Sequence, residues 1–544
     1  MNKFYRWLQR NPYATVLIAS LALLAINIIV IGRWRPFNSD DLYWQQVVHT
    51  WKPFSGDTLY LATKDVFVEQ VPFFALMEHV FAPSRLLVLV EVLALTLSSF
   101  TFFYFSTLYF LKKLGLKASY IGLLPFLWLA SFGYPLVQNY LNSNWRSFEV
   151  GLCFATFTLV AAILFDDIKP LKSLKTKALS ILVAALIGVV IYSDPYYVFF
   201  TVGPLLLFVI GLYLLKKIKR SHLFMIIGGT VLSMFFAKLL AAVATKAGIV
   251  LVADTPSVFV SFDNIITNIV SSFHGLLIVF NADFFGRPAL GLSTLGAMIN
   301  AAILAVILYG VFNLRKVLLK SKISGLTLPR LWSIFFGLMV AFVFVIYTLT
   351  TLVTVNNYRF FIVLIYCAIT FLVLILSASK SKGLRLILGA LLIGATVYNT
   401  ALTLFTHNVK QQTDVVGNVG NSANYAIIHA VQSEGLTKGY ASYWQANINT
   451  YLSGGKQTFL PSLCGDKGKT VKFKWLIDGA QFNKSASRSF YLIDPGFPAP
   501  GICSQKQLVD QFGKPQKIIK VLDKSILVYD YDISSKIHMS LPNY

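Results

Sequence analysis

The chain has 544 residues, of which 56% are hydrophobic and only 13% are charged. This composition excludes an ordinary soluble globular protein, a disordered chain and a coiled coil, and it predicts a polytopic membrane protein. Lys and Arg outnumber Asp and Glu by 47 to 23, but cytoplasmic loops of membrane proteins collect basic residues, so the excess is weak evidence for a nucleic-acid partner. Four cysteines are too few for a disulfide scaffold, and no Cys-x-x-Cys or His-rich cluster suggests a zinc site.

Apolar stretches predict about 11 transmembrane helices. They lie at 14–32, 86–110, 118–133, 149–165, 178–192, 197–215, 223–242, 293–313, 331–354, 360–378 and 386–406. The first follows a basic segment and lacks a small-residue cleavage site, so we expect a retained signal anchor. Segment 264–280 is apolar but carries Asn, Ser and His, and we interpret it as an interfacial or re-entrant helix. If it were a true span, the C-terminus would move to the cytoplasmic side.

The basic residues between these stretches predict the orientation, because Lys and Arg collect in cytoplasmic loops. Six basic segments fall on one side: 3–10, 112–117, 169–177, 216–220, 315–330 and 380–385. The N-terminus is therefore predicted to be cytoplasmic, and an odd number of spans puts the C-terminus outside. Most carboxylates before the C-terminal region fall on the outer side. Carboxylates contribute little to the orientation of a membrane protein. Their concentration on the outer side therefore indicates a chemical function on that side.

Long apolar runs end near residue 406, which predicts two domains. Residues 1–406 would form the transmembrane domain, with a first outer loop at 33–85 and a later one at 243–292. Residues 407–544 would form a soluble extracytoplasmic α/β or α+β domain, with strands at 440–444, 472–476, 489–494 and 524–532. Cys464 and Cys503 would pair in an oxidising exterior, whereas Cys153 and Cys367 lie in spans and are expected to be inert.

The first outer loop places an acidic pair, Asp40 and Asp41, directly after the first span. A carboxylate beside the membrane surface is well placed to act as a general base. The alternative is that Ser39 and this pair cap an amphipathic helix running on to Trp51. The two roles are compatible.

The next two outer loops are short and polar. Asn144, Arg146 and Glu149 lie in the second, and Asp194 lies in the third, at the membrane boundary. Charged groups there are costly unless they are paired. Pairing of Arg146 with Glu149 or Asp194 is therefore the structural alternative to a functional role.

Two further cations lie close to the predicted outer surface. Arg359 is the charge of the VNNYRFF loop, and Lys238 lies near the outer end of its span. With Arg146 they could form a phosphate-binding pocket, since guanidinium groups bind phosphate oxygens in a bidentate manner. A lone Lys in a span more often extends to the interface, which is the alternative for Lys238.

Taken together, these features resemble the GT-C superfamily of integral membrane glycosyltransferases, which includes protein O-mannosyltransferases, aminoarabinose transferases and oligosaccharyltransferases. The resemblance rests on the order of features over most of the chain. These are a cytoplasmic N-terminus, an acidic pair opening a long first outer loop, the polar NSNWRSFE segment, a long later loop, a YRFF segment and an outer C-terminal domain. The WWD-type motif of oligosaccharyltransferases is absent from the sequence, which weighs against that branch.

The resemblance implies a polyprenyl-phosphate-linked sugar as donor and a glycan, lipid or protein as acceptor. It implies Asp40 as the base, with Asp41 as the alternate. Glu149, Asp194 and Asn144 would orient the substrates. A divalent cation, Mg²⁺ or Mn²⁺, stays open, with Asp40, Asp41 and Glu149 as its ligands. Direct displacement would invert the anomeric centre.

The implied location is the cytoplasmic membrane of a bacterium, with sugar transfer in the envelope on its outer side. The outer domain could bind an acceptor through aromatic residues, although aromatics in strands are more often core. Those residues are Tyr440, Tyr443, Trp444 and Tyr451.

Three other functions compete with a transferase. A transporter or lipid flippase would also place Arg and Asp within a bundle, but it does not account for the long acidic outer loop and the soluble domain. An O-antigen polymerase or ligase is not expected to carry an acidic pair directly after the first span. A non-catalytic membrane scaffold would leave envelope glycans unchanged when the acidic pair is neutralised.

Overall fold

The fold is that of a mostly helical membrane protein with a β-sheet near its C-terminus. The computed structural model describes residues 11–35, 37, 39, 42–62, 68–117, 119–132, 146–165, 174–252, 258–320, 325–351, 358–410, 421–465, 468–495 and 503–539. Each predicted span is helical over most of its described residues, although the spans predicted at 118–133 and 331–354 extend past their helices and the one at 197–215 includes a π-helical turn. The helices up to residue 246 are α1 (Pro12–Trp34), α2 (Tyr43–Thr50), α3 (Val71–Val80), α4 (Arg85–Lys113), α5 (Tyr120–Ala130), α6 (Arg146–Leu164), α7 (Leu174–Ser193), α8 (Gly203–Leu214) and α9 (Arg220–Lys246).

The second half of the helical region ends at residue 410. Its helices are α10 (Ile265–Val279), α11 (Leu292–Lys320), α12 (Leu328–Leu349), α13 (Ile362–Ala378) and α14 (Lys382–Lys410). Among the described residues, eight helices are long and apolar enough to cross a membrane, and four shorter apolar helices accompany them. Almost every residue of α13 is buried, so this helix lies at the centre of the bundle.

Buried asparagines join four of the helices. Asn300 of α11 donates to Asn399 of α14 (2.9 Å) and accepts from Trp128 of α5 (2.7 Å). Asn27 of α1 donates to the carbonyl of Ala130 (2.8 Å). Polar contacts of this kind between helices contribute to helix association within a membrane, where lipid removes the hydrophobic driving force.

Helix α10 has contacts that favour the predicted interfacial or re-entrant position. Asn268 donates to the carbonyl of Thr348 (3.0 Å), at the last turn of α12. At the other end, the ring of Phe280 lies 5.6 Å from that of Trp128, in the last turn of α5. Both partners lie at predicted outer ends of their spans. If α10 crossed the membrane, one of its two ends would lie at the opposite surface. Segment Phe262–Val279 nevertheless has the length and composition of a span.

The C-terminal region contains a seven-stranded mixed sheet. Its strands are β3 (Lys438–Ala441), β4 (Thr458–Cys464), β5 (Thr470–Lys472), β7 (Ser489–Ile493), β8 (Lys517–Val521), β9 (Lys524–Tyr529) and β10 (His538–Met539). They lie side by side in the order β10-β5-β4-β3-β7-β9-β8. Three helices accompany it: α15 (Ser422–Ser433), α16 (Tyr443–Leu452) and α17 (Gln505–Phe512). The predicted disulfide Cys464–Cys503 is confirmed.

Two of the four predicted strands are confirmed, at 489–493 and 524–529. The other two are wrong over most of their length. The strand predicted at 440–444 ends at Ala441, because the chain turns there into α16. The strand predicted at 472–476 ends at Lys472.

A second, three-stranded sheet joins three distant parts of the chain. β1 (Leu59–Ala62) of the first outer loop pairs in parallel with β2 (Ile249–Val252) of the later loop. On its other side β1 pairs antiparallel with β6 (Ile477–Asp478) of the C-terminal region. Backbone hydrogen bonds therefore attach both long loops to the C-terminal region.

The predicted amphipathic helix after the acidic pair is present as α2, but the predicted cap at Ser39 is wrong. The N-cap position belongs to Leu42, and the hydroxyl of Ser39 bonds elsewhere. It accepts a hydrogen bond from the backbone N–H of Asn447 in α16 (3.1 Å).

Candidate functional site

Three acidic residues from three predicted outer loops lie at the same end of the helical bundle. The first is Glu69, in a single 3-10 turn that precedes α3. The turn is attached to the end of α7, since the backbone N–H of Val68 donates to the hydroxyl of Ser193 (3.0 Å). Ser193 in turn donates to the carbonyl of Val189 (2.8 Å). The first outer loop is thereby fixed against the third.

The carboxylate of Glu69 is only partly satisfied. Its Oε1 accepts a weak hydrogen bond from Gln70 (3.3 Å). Its Oε2 is inaccessible to solvent and has no hydrogen-bond partner among the described residues, although the residue as a whole is only half-buried. Burial raises the pKa of Glu69 to about 7, the nearby polar side chains of Ser193 and Gln70 oppose the shift, and the negative charge of Asp194 adds to it. Near neutral pH this carboxyl can therefore either accept or release a proton.

Asp194 is fully buried between α7 and the short helix Pro195–Tyr197. Its Oδ1 accepts a hydrogen bond from the backbone N–H of Tyr196 (2.8 Å), so it caps this helix. A cap of this kind fixes the carboxylate at the predicted membrane boundary. The capping hydrogen bond offsets part of the free-energy cost of placing a charge at that depth.

Glu149 lies in the first turn of α6 and is 7% exposed. It lines a small cavity together with Cys153, Tyr196, Phe200 and Phe360. The rings of Tyr196 and Phe360 pack 5.0 Å apart. The second loop, the third loop and the 3-10 helix Tyr358–Phe361 thus meet at one point.

Tyr197 lies close to two of the three carboxylates. Its hydroxyl is 2.6 Å from that of Thr156 in α6, and Glu149 and Glu69 are both near enough to act on it electrostatically. We name Glu69, Glu149 and Asp194 the acidic cluster. The three side chains come from separate parts of the sequence, with Glu149 and Glu69 close to Tyr197 and Asp194 close enough to Glu69 to act on it electrostatically.

A π-helical turn, Val198–Val202, follows Tyr197 and leads into α8. Phe200 of this turn lines the small cavity, and Val202 lines a larger one on the membrane side. Such turns are rare and occur often at functional sites.

The larger cavity, which we name the apolar cavity, has a volume of about 180 Å³ and lies between α6, α7, α8 and α9. Its walls are mostly aliphatic, with Thr156, Ser180, Thr230 and Ser233 as the hydroxyl-bearing residues and Gly229 on one side. A cavity of this composition suits an aliphatic chain rather than a polar headgroup.

The predicted acidic pair, Asp40 and Asp41, lies outside the described residues, but both flanks of the pair are described. Phe37, Ser39 and Leu42 are all buried. Ser39 contacts α16, as shown above. The described residues on both sides of the pair are therefore packed against the rest of the protein.

The predicted cations are described to different extents. Arg146 begins α6 and Arg359 lies in the 3-10 helix beside Phe360, but their side chains are outside the described set, as is all of Asn144. The phosphate pocket therefore stays a prediction. Lys238 is exposed on α9 and lines neither cavity, which agrees with the alternative that it extends to the membrane interface.

Within the described part of the chain, no group of three or more His, Cys, Asp or Glu side chains is arranged to hold a metal ion. Because Asp40 and Asp41 are outside that part, the predicted cation site formed with Glu149 stays a prediction.

Sequence reasoning did not single out Glu69. It appears there as one of many outer carboxylates, beside Gln70 and ahead of the Val71-Pro72 start of α3. In the sequence Glu69 is one polar residue of a predicted loop. Only the packing of its turn against Ser193 distinguishes it from the other outer carboxylates.

No protein-family model matches the chain, and no curated protein matches it. Among solved structures, it is similar to an oligosaccharyltransferase of Archaeoglobus fulgidus, tethered by a disulfide bond to an acceptor peptide that contains the NVT sequon. The two share 12% identity with a TM-score of 0.44, over 84% of this chain and 64% of the other. This chain thus spans less than two thirds of that protein.

Proposed function

We propose that this protein is a membrane glycosyltransferase that moves a sugar from a polyprenyl-phosphate donor to an acceptor on the outer face of the cytoplasmic membrane. One observation carries the proposal. The acidic cluster, built from three separate loops, lies directly beside an apolar cavity between membrane helices. A reaction between a lipid-linked donor and a hydroxyl acceptor needs this combination of an aliphatic site and a proton acceptor.

The chemistry is a direct displacement at the anomeric carbon. The acceptor oxygen forms a bond to that carbon as the bond from the carbon to the phosphate oxygen breaks. The proton of the acceptor hydroxyl passes to a carboxylate, and the polyprenyl phosphate leaves with the electron pair. Attack opposite the leaving group inverts the configuration, and a base contributes about 10² to 10⁴ in rate.

Asp40 is the first choice for this base and Asp41 is the alternate. Glu69 is a further candidate, because a pKa of about 7 matches the range in which a general base is most effective. Asp194 is held by the cap that it forms on its own helix and Glu149 is buried, so orienting the sugar suits these two residues better.

The leaving phosphate needs positive charge. Arg359 is adjacent in sequence to Phe360, which lines the small cavity with Glu149. Arg146 is in the same turn of α6 as Glu149. Both backbones therefore approach the acidic cluster, which supports these two as phosphate ligands more strongly than Lys238.

The test is turnover by the purified protein in lipid, with a panel of polyprenyl-phosphate sugars, with and without EDTA. We expect transfer or donor hydrolysis by the parent, and loss of it in Asp40→Asn or Asp41→Asn while donor binding survives. EDTA sensitivity would identify a metal-dependent enzyme. If no donor is turned over and both variants behave like the parent in cells, the transferase is wrong. In that case the apolar cavity would favour a lipid transporter.

A further inference from the structure

The backbone next to the acidic pair is bonded to a side chain from the far end of the chain. The N–H of Phe37 donates to Oδ1 of Asn421 (3.1 Å), and the carbonyl of Phe37 accepts from Nδ2 of the same residue (2.9 Å). Asn421 thus pairs with Phe37 as a neighbouring strand would. It is completely buried, so water does not compete for these bonds.

Asn421 is the first member of an amide chain that consists of Asn421, Asn424, Gln445 and Asp494. Nδ2 of Asn421 donates to Oδ1 of Asn424 (2.8 Å). Nδ2 of Asn424 donates to Oε1 of Gln445 (3.0 Å), and Nε2 of Gln445 donates to Oδ2 of Asp494 (2.9 Å). Asp494 also pairs with Lys524 (3.3 Å). The amide chain runs from the carboxyl end of β7 to the segment that carries Asp40.

The direction of the amide chain is fixed. Asp494, when ionised, accepts hydrogen bonds only, so Gln445 must present its NH₂ group to it and its oxygen to Asn424. The same constraint passes to Asn424 and then to Asn421. Rotating any one amide by 180° would place donor against donor. Such a network specifies one arrangement of the segment, which apolar packing alone would not do.

Two further contacts hold the same segment. Ser39, the residue before Asp40, accepts from the N–H of Asn447. Arg85, the first residue of α4, donates to the carbonyls of Gly32 and Arg35 (the latter at 3.0 Å) and to Oδ1 of Asn421 (3.4 Å). The end of the first span, the start of the second and the C-terminal region therefore converge on residues 32–39.

We propose that Asn421 and Asn424 are positioning residues, which hold the backbone at Phe37, on the N-terminal side of the proposed bases Asp40 and Asp41. This inference rests on the proposed function for its catalytic part. The two asparagines do not contact the reacting atoms. They fix the backbone at Phe37, three residues before Asp40, and a displacement of about 1 Å at a reacting group lowers rates about 100-fold.

The test compares Asn421→Ala and Asn424→Ala with Gln457→Ala, in the full chain in lipid nanodiscs. Gln457 is a matched control, because it is buried in the same region and bonded to another amide, that of Gln432 (3.0 Å), outside the amide chain. Hydrogen exchange of residues 37–47 is measured by mass spectrometry. On the active parent, kcat, KM and donor Kd are measured as well.

We expect exchange in residues 37–47 to be roughly ten-fold faster in both asparagine variants and unchanged in Gln457→Ala. We expect kcat to fall about 100-fold with KM and donor Kd near the parent values. Unchanged exchange in both variants would overturn the proposal, and so would faster exchange with an unchanged kcat. If Asn421→Ala does not fold, Asn424→Ala carries the test alone. If the parent turns over no donor, the proposed function fails, and hydrogen exchange still decides whether the amides hold the segment.

Discussion

Tyr451 in α16 donates a 2.6 Å hydrogen bond to Oε1 of Glu78 in α3, across 373 positions of sequence. The other oxygen of Glu78 lies 2.9 Å from Nε2 of His49 in α2. The side chain of Glu78 is 1% exposed. One buried carboxylate therefore joins two helices of the first predicted outer loop, α2 and α3, to α16 of the C-terminal region.

Removing the hydroxyl in Tyr451→Phe leaves one oxygen of a buried carboxylate without its donor. We expect the free energy of unfolding to fall by about 1–3 kcal/mol, because a buried acceptor loses its partner and regains no water. Thermal unfolding in lipid nanodiscs measures the change. In a double-mutant cycle with Glu78→Gln, simple additivity of the two effects would contradict a direct interaction.

Glu69 predicts a dependence of stability on pH. Its pKa is raised to about 7 in the folded chain from an ordinary value of 4.5, so the folded state holds the proton more tightly. The stabilisation is complete below about pH 4.5 and is lost as pH rises to about 7. We expect the Tm of the parent to decline across this window, and the decline to be smaller in Glu69→Gln. If the Tm of the parent instead rises between pH 4.5 and 7 relative to that of Glu69→Gln, the pKa of the Glu69 carboxyl is not raised by burial.

The same group predicts a dependence of rate on pH. If Glu69 accepts the proton, kcat should rise through about pH 7, and Glu69→Gln should lose this limb along with most of the activity. If Asp40 or Asp41 is the base and Glu69 only supports the site, kcat of Glu69→Gln should depend on pH as in the parent but be lower at every pH. The pH profile of kcat thus separates the two assignments.

Trp444 is the member of the predicted aromatic set that stays accessible. Tyr440, Tyr443 and Tyr451 are buried, whereas Trp444 is 37% exposed, one turn before the Asn447 that contacts Ser39. If an acceptor sugar stacks on it, Trp444→Ala should raise the acceptor KM roughly ten-fold with little change in donor Kd. Trp444→Phe should recover part of the loss. Equal losses in donor and acceptor binding would indicate a folding defect instead.

The sequence predicts the helices well and their convergence poorly. Hydropathy alone locates every predicted span, because a span must be apolar over its whole length. In contrast, Phe37 and Asn421 are separated by 384 positions. A hydrogen bond between one side-chain amide and a distant backbone produces no periodic pattern in the sequence. The cap predicted at Ser39 is wrong for a related reason. The hydroxyl accepts a hydrogen bond from the distant backbone N–H of Asn447 in α16 instead of capping α2.

The sequence predicts strands correctly only where the apolar pattern is uninterrupted. β4 contains Pro461 within its run, which lowers its strand signal although it lies inside the sheet. The aromatic run at 440–444 has a strong strand pattern, but its second half begins α16. There, tertiary contacts with Ser39 and Glu78 override the local preference.

The apolar cavity predicts how the donor chain can be excluded without touching the acidic cluster. Gly229 lines this cavity, and a Cβ placed on it meets no atom within 4 Å. Gly229→Leu should therefore fold normally and fill the space that an aliphatic chain would occupy. We expect the Kd of a long-chain polyprenyl-phosphate donor to rise at least ten-fold, whereas a donor analogue with a very short lipid should bind as it does to the parent.

Gly228 provides the matched control for this experiment. It is adjacent on α9, and a Cβ there also meets no atom within 4 Å, but it lies on the exposed side and does not line the cavity. Gly228→Leu should leave the affinity for both donors unchanged, since it adds the same side chain to the same helix facing outwards. If the two leucine variants weaken long-chain donor binding equally, the effect belongs to the helix and not to the cavity. If neither variant weakens it, the lipid lies elsewhere on the bundle, and the link between the apolar cavity and the acidic cluster loses its functional meaning.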